Sequence, residues 1–371
     1  MAIIDSNIAG RRARRSARNA PINKKGEKMI PIISLFNHKG GVSKTTTAFN
    51  LGWALAERGH RILIVDGDPQ CNLTGTVLGF DGLEDFSDFY KANPRANISE
   101  ALDPIFKATG QPLVSAAVTR TIHPSLFLLA GNIDLAENET QISVALSTSA
   151  AIPALQNIPG SIGAILRMTA VENNIDAVIV DMSPSVGALN QCFLMGSDYF
   201  IVPTSPDYYC FQAISSLSRV LPRWNDGVRA FRNPALLYPF PANPPKFCGI
   251  ISQRYRPRLG NPAYSFQQWI DRIKDAVTSE LVPALTKANM SISSATFVAS
   301  QPKDTPYNLI NISDFNSLIA QSQKYSTPVF ALSDDQIEQV GVILKTMKDS
   351  RDRFRESFDA LANSVKIIAG I

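Results

Sequence analysis

The stretch Asn37-His38-Lys39-Gly40-Gly41-Val42-Ser43-Lys44-Thr45-Thr46 constrains this chain more than any other, because it stands between a buried-strand pattern and an amphipathic-helix pattern. Before it runs Ile32-Ile33-Ser34-Leu35-Phe36, an apolar run of strand length. After it Ala48, Leu51, Gly52 and Leu55 recur at helical spacing until Gly59 supplies a stop. Strand, glycine loop and helix in that order form a phosphate cradle. The glycine pair lets backbone N–H groups approach phosphate oxygens, and the helix N-terminus adds partial positive charge. Lys44 supplies a cation and Thr45 a hydroxyl for Mg²⁺. Lys39, Gly40, Gly41, Val42, Ser43, Lys44, Thr45 and Thr46 are therefore the expected nucleotide-binding segment.

Two later runs have the same logic. Arg61-Ile62-Leu63-Ile64-Val65-Asp66 and Ala177-Val178-Ile179-Val180-Asp181 are apolar stretches ending in an acid, the pattern of parallel strands covered on both faces. Further strands are expected at 126–130, 199–203 and 247–252, and a last one at 295–298. Helices are expected at 98–106, at about 211–220 and at 262–290. Residues 234–245 hold five prolines and read as a connection, since proline removes the donor that helix and central strand need. The predicted fold is α/β, a doubly wound, mostly parallel sheet carrying a phosphate loop, with the site at the carboxyl ends of neighbouring strands.

The composition, 45% hydrophobic and 18% charged over 371 residues, suits a chain that buries a sizeable core. No apolar run reaches membrane-span length, and no apolar stretch follows the early arginines, so the cytoplasm is the expected compartment. Four scattered cysteines, Cys71, Cys192, Cys210 and Cys248, form no C-x-x-C pair and read as core residues. Charge is uneven: residues 1–28 carry eight cations against two acids, a net of +6, and with a chain total of +4 the remainder sums to −2. This arm, with Arg11, Arg12, Arg14, Arg15 and Arg18, is expected to be disordered. It reads either as a nucleic-acid contact or as a solvated tail, with translation starting at Met1 or at Met29.

The order K-G-G-x-x-K-T-T, with Lys39 ahead of the glycine pair and Ser43 in place of a glycine before Lys44, resembles the deviant Walker A motif of the ParA/MinD (SIMIBI) ATPase superfamily. The ParA-type partition branch is the most similar. Asp66-Gly67-Asp68-Pro69-Gln70-Cys71-Asn72 resembles its switch I, and Asp181 with Ser183-Pro184-Ser185 its Walker B and switch II. The resemblance spans roughly residues 30–365 and implies a P-loop ATPase domain over 29–371, slow and partner-stimulated, with ATP and Mg²⁺. It implies that Lys39 reaches the partner's phosphates in a nucleotide-sandwiched homodimer, that Asp68 orients the attacking water, and that Thr45, Asp66 and Asp181 serve the metal. Gln253 and Arg254 match the place where relatives contact adenine. It further implies non-specific DNA binding in plasmid or chromosome partition on the nucleoid, with a ParB-like partner. Candidate DNA contacts on the body are Arg254, Arg256, Arg258, Lys345, Lys348 and Arg351. If the backbone at Ser43 is left-handed, a non-glycine residue there costs roughly 1–2 kcal/mol.

Three alternatives follow from the same loop. An iron-protein reductase needs a cluster cysteine well before Walker B, and residues 72–191 contain none. A MinD-like membrane ATPase needs a terminal amphipathic helix; Phe354, Phe358, Leu361 and Val365 lie at helical spacing, a stripe that reads first as a core face. A ParA-like ATPase could also position a protein complex or serve a defence or regulatory module.

Overall fold

The computed structural model describes residues 29–148, 151–258, 261–301 and 306–371. The arm 1–28, with its five arginines, lies outside the described residues. Ten strands are β1 (Ile32–Leu35), β2 (Ile62–Gly67), β3 (Thr119–Arg120), β4 (Leu126–Leu129), β5 (Ala177–Met182), β6 (Tyr199–Thr204), β7 (Lys246–Tyr255), β8 (Pro257–Arg258), β9 (Asn261–Pro262) and β10 (Asn308–Ser313). Eight form one sheet in the order β10-β7-β6-β1-β5-β2-β4-β3, parallel except for the β3–β4 edge; β8 and β9 pair as a small hairpin. Every residue of β1, β2, β4 and β5 is buried, as expected when helices cover both faces.

Register places the chemistry. Leu35 of β1 lies opposite Asp181 of β5, and Asp66 of β2 lies opposite the same Asp181. The loop that leaves β1 and both acids therefore meet at one carboxyl edge. Around the sheet lie α1 (Lys44–Ala56), α2 (Asn72–Leu78), α3 (Leu83–Ala92), α4 (Ile98–Phe106), α5 (Glu139–Ser147), α6 (Ile158–Glu172) and α7 (Ala188–Gly196). They are followed by α8 (Tyr208–Gly227), α9 (Tyr264–Ala276), α10 (Val282–Lys287), α11 (Ser294–Ser300), α12 (Leu318–Lys324), α13 (Asp334–Ile337) and α14 (Gly341–Ala369).

Two expectations need correction. Residues 295–298 are not a strand: the Ser293 side chain accepts from Thr296 N–H and starts α11, while the last strand of the sheet is β10. The helix after β6 does not stop before Pro222 but runs to Gly227, because Leu221 and Trp224 are buried on either side of the proline and hold the extra turns. The helix expected at 262–290 runs from Tyr264 to Lys287, with one π turn, Val277–Leu281, just ahead of Pro283, while Pro262 pairs in β9.

The terminal stripe is core. Phe354, Phe358, Leu361 and Val365 of α14 are all buried, and Phe358 stacks near Phe315 and Phe330, each such side chain stabilising the fold by about 1.5–3 kcal/mol. These residues are therefore committed to packing and not to a lipid surface. Among the described residues no helix is long and apolar enough to cross a membrane. All four cysteines are buried and unpaired. At the amino edge of the sheet the proline-rich connection is a strap: Asn157 Oδ1 accepts from Leu237 and Tyr238 N–H, and Tyr238 Oη accepts from Leu113 N–H. A Cβ on Gly160 would meet Tyr238 O at 1.8 Å, so α6 can sit this close to the strap only through glycine.

Candidate functional site

The phosphate loop is fixed from beneath. Asn37 Nδ2 donates to Pro203 O (2.8 Å) and its Oδ1 accepts from Lys39 N–H (3.0 Å), which ties the loop's start to β6. Gln253, fully buried at the end of β7, donates to Val42 O (3.0 Å) and meets the Thr47 hydroxyl. The side chain expected to contact adenine is thus a bolt under the loop. Its polar atoms are already used inside the protein. Gly41 and Ser43 both have positive φ, 73° and 57°, and Ser43 as the residue capping α1 makes no side-chain cap bond. The backbone at Ser43 is thus left-handed, on a residue with a Cβ.

Lys44 Nζ is turned into the loop, donating to Asn37 O at 3.0 Å and Lys39 O at 3.4 Å. Burial lowers its pKa, while Asp181 and Asp68 favour the charged form. Thr45 Oγ1 donates to Asp181 Oδ2 at 2.6 Å. The other oxygen, Asp181 Oδ1, is buried with no partner. An unpartnered carboxylate oxygen beside a threonine hydroxyl fits a hydrated divalent cation, whose water supplies the missing donor. Burial raises the Asp181 pKa well above the carboxylate range, and the nearby Asp66 charge raises it further.

Asp66 is spoken for. Its Oδ2 accepts from Thr74 N–H (2.8 Å) and from Thr74 Oγ1 (2.7 Å), and its Oδ1 from Asp68 N–H (3.3 Å). It holds switch I in shape, and burial pushes its pKa up to about 6. Asp68 is different: it lines the phosphate cavity, with Oδ1 accepting from Gln70 N–H at 3.0 Å. Cys71 next to it is left-handed, φ 54°, and caps α2. Burial lifts its thiol to about 12, so it stays a packing group.

The cavity has a volume of about 340 Å³ and runs from the loop past Asp68, Asn72 and Thr76 to Ile319, Ser322 and Gln323 of α12. The resemblance reaches this stretch, but nothing in the sequence gives these α12 residues a place in the site. Arg254 reaches the cavity from the end of β7, left-handed at φ 65°, with Nη1 donating to Gly41 O at 2.5 Å. Lys39 does not line this cavity. It lines an adjacent depression of about 350 Å³ with Asp207, Arg254 and Arg256, its Nζ on Gly40 O (3.1 Å) and 5.8 Å from the Tyr209 ring. On α14, Lys345 is exposed, whereas Lys348 and Arg351 pair with Asp334 at 2.7 and 2.8 Å. The side chain of Arg258 lies outside the described residues.

Two contacts escaped sequence reasoning altogether. Asn190 Nδ2 donates to Ser183 O, Ser185 O and Ser185 Oγ, folding switch II onto α7, and Glu139 accepts from the first N–H groups of α7. Each partner is a backbone group or a loop serine, so no motif spacing marks either residue.

The AAA domain family model AAA_31 matches residues 30–230, just over half of the chain. The chain is 30% identical over 189 residues to the sporulation initiation inhibitor protein Soj of Bacillus subtilis, covering 51% of this chain and 64% of Soj. It is 30% identical over 208 residues to the chromosome partitioning protein ParA of Caulobacter vibrioides, covering 56% and 66%. The chain thus spans slightly less than two thirds of these curated relatives' length. Among solved structures, apo McdA from Cyanothece has a TM-score of 0.55 at 15% identity, covering 87% of this chain and 99% of that one, a likeness of fold. With the family match across the loop and both acidic strands, this chain is a member of the ParA/MinD family of P-loop ATPases.

Proposed function

We propose that this chain is a nucleotide-dependent dimerisation switch: ATP with Mg²⁺ closes two copies face to face, the closed form binds DNA without sequence preference, and hydrolysis releases it. The observation that carries this reading is the placement of Lys39. A cation that only served its own phosphates would face the cavity; Lys39 instead lines the neighbouring depression with Arg254 and Arg256, which supports a role toward the nucleotide of a second copy. Lys44 and the loop N–H groups would neutralise the transferring phosphoryl group, Asp68 would orient the attacking water, and Thr45 with Asp181 would hold the metal. When bound, Mg²⁺ supplies charge neutralisation between the phosphates.

The similarity to Soj and ParA supports partition of a plasmid or chromosome as the output, with a ParB-like partner stimulating turnover. The arm 1–28 and a single ATPase body over 29–371 complete the proposed organisation, at the nucleoid. Size-exclusion chromatography with light scattering tests the core of this reading. Wild-type protein should shift to dimer with ATP and Mg²⁺, and Lys39→Ala should bind ATP yet remain monomer. An ATP dimer of undiminished affinity in Lys39→Ala would remove the trans role.

A further inference from the structure

Switch II is held from two sides, and the outer hold comes from a residue in no nucleotide-binding motif. The segment after β5, Ser183-Pro184-Ser185-Val186-Gly187, is clamped from within by Asn190 at 2.8–3.0 Å. From without, Glu139 at the first position of α5 lays its carboxylate across the start of α7: Oε1 accepts from Ala188 N–H at 2.5 Å and Oε2 from Leu189 N–H at 2.9 Å. The two bonds are charge-assisted and lie on the positive end of the helix dipole.

Gly187 shows that this contact shapes the switch. Its φ is −73°, a value open to any residue, so its backbone does not demand glycine. A Cβ there would meet Glu139 Oε1 at 2.4 Å, so the carboxylate would have to swing aside from the N–H groups it caps. The glycine at the hinge between switch II and α7 is matched to the carboxylate of α5.

We infer that Glu139 is a positioning residue for hydrolysis, setting the distance of switch II from the phosphate cavity by fixing the first turn of α7. Pro184 of this segment lines that cavity, so a shift of the α7 start moves the cavity wall facing the loop. Helix α5 thereby becomes a place outside the nucleotide site from which turnover is tuned. This role rests on the ATPase reading above.

The test is a cycle on the full chain: wild type, Glu139→Gln, Gly187→Ala, and Glu139→Ala alone and with Gly187→Ala, each measured for single-turnover ATP hydrolysis, ATP affinity and Tm. Glu139→Gln turns one acceptor into a donor facing an N–H. It should slow hydrolysis about tenfold, the size of one charge-assisted hydrogen bond, with ATP affinity within about twofold of wild type. Gly187→Ala, which keeps the carboxylate but pushes it away, should slow hydrolysis similarly. In the Glu139→Ala background the added methyl should cost nothing further. Unchanged hydrolysis in Glu139→Gln, or a drop in Tm and ATP affinity that accounts for the whole rate loss, overturns the positioning role. So do losses that add in full across the cycle. Wild-type protein without ATP turnover would instead remove the ATPase reading, and this role with it.

Discussion

The hydroxyl of Thr45 and the carboxylate of Asp181 are 2.6 Å apart although 136 residues separate them, because β1 and β5 are neighbours in register. The other carboxylate oxygen of Asp181 is buried without a partner, next to a second buried acid, Asp66. Both carboxyls therefore hold their protons more tightly folded than unfolded. Stability from this pair is fully present below the unfolded carboxylate value and is lost as pH rises, through about 6 for Asp66 and further for Asp181. Without Mg²⁺ or nucleotide, Asp181→Asn should melt higher than wild type at pH 8, with the advantage shrinking toward pH 4. Thermal melts across that range check this, and a pH-independent difference would contradict it.

Ser43 occupies a left-handed conformation and makes no cap bond, so glycine would lose nothing there. Relief of roughly 1–2 kcal/mol of strain, set against up to about 1 kcal/mol of extra chain entropy, predicts that Ser43→Gly stabilises the protein by up to about 1 kcal/mol. Urea unfolding should show a higher midpoint at constant slope. A lower midpoint would mean the serine hydroxyl has a partner in solution.

Lys44 and Asp68 flank the same cavity and should fail differently. Lys44→Ala removes the cation from the loop and should lower kcat/KM at least about a hundredfold, with ATP binding weakened or lost. Asp68→Ala should keep ATP, lose turnover and accumulate as dimer. Wild-type turnover in the first variant, or only monomer with ATP in the second, would sink the respective assignment.

The proposed DNA contacts divide between the arm, with +6, and the body, with −2. On the body, Lys348 and Arg351 are already paired with Asp334, which leaves them less free to meet phosphates. Deleting residues 1–28 should therefore flatten the log-affinity versus log-salt slope by up to several units, at about 0.9 per phosphate contact, while ATP-dependent dimerisation survives. Binding isotherms at several salt concentrations read this directly, and an unchanged slope would assign DNA binding to the body.

What the sequence made legible was whatever depends on local pattern: the glycine loop between strand and helix and the two acid-ended strands. What it hid depends on contacts across space. Gln253 has no local signature, and only the approach of β7 to the loop makes it a bolt. Residues 295–298 have strand-like composition, but one capping serine outweighs that preference. Strand β10 alternates Asn, Leu, Ile, Asn, Ile and Ser, too polar to stand out. Glu139 and Asn190 bond mainly to backbone, which every residue has.

By joining the start of α6 and the segment before β3 to the run between α8 and β7, the strap at the amino edge clasps the two flanks of the sheet together at the end remote from the loop. A side chain at position 160 would have to part α6 from the strap, so this one glycine sets how closely the two flanks of the sheet are drawn together.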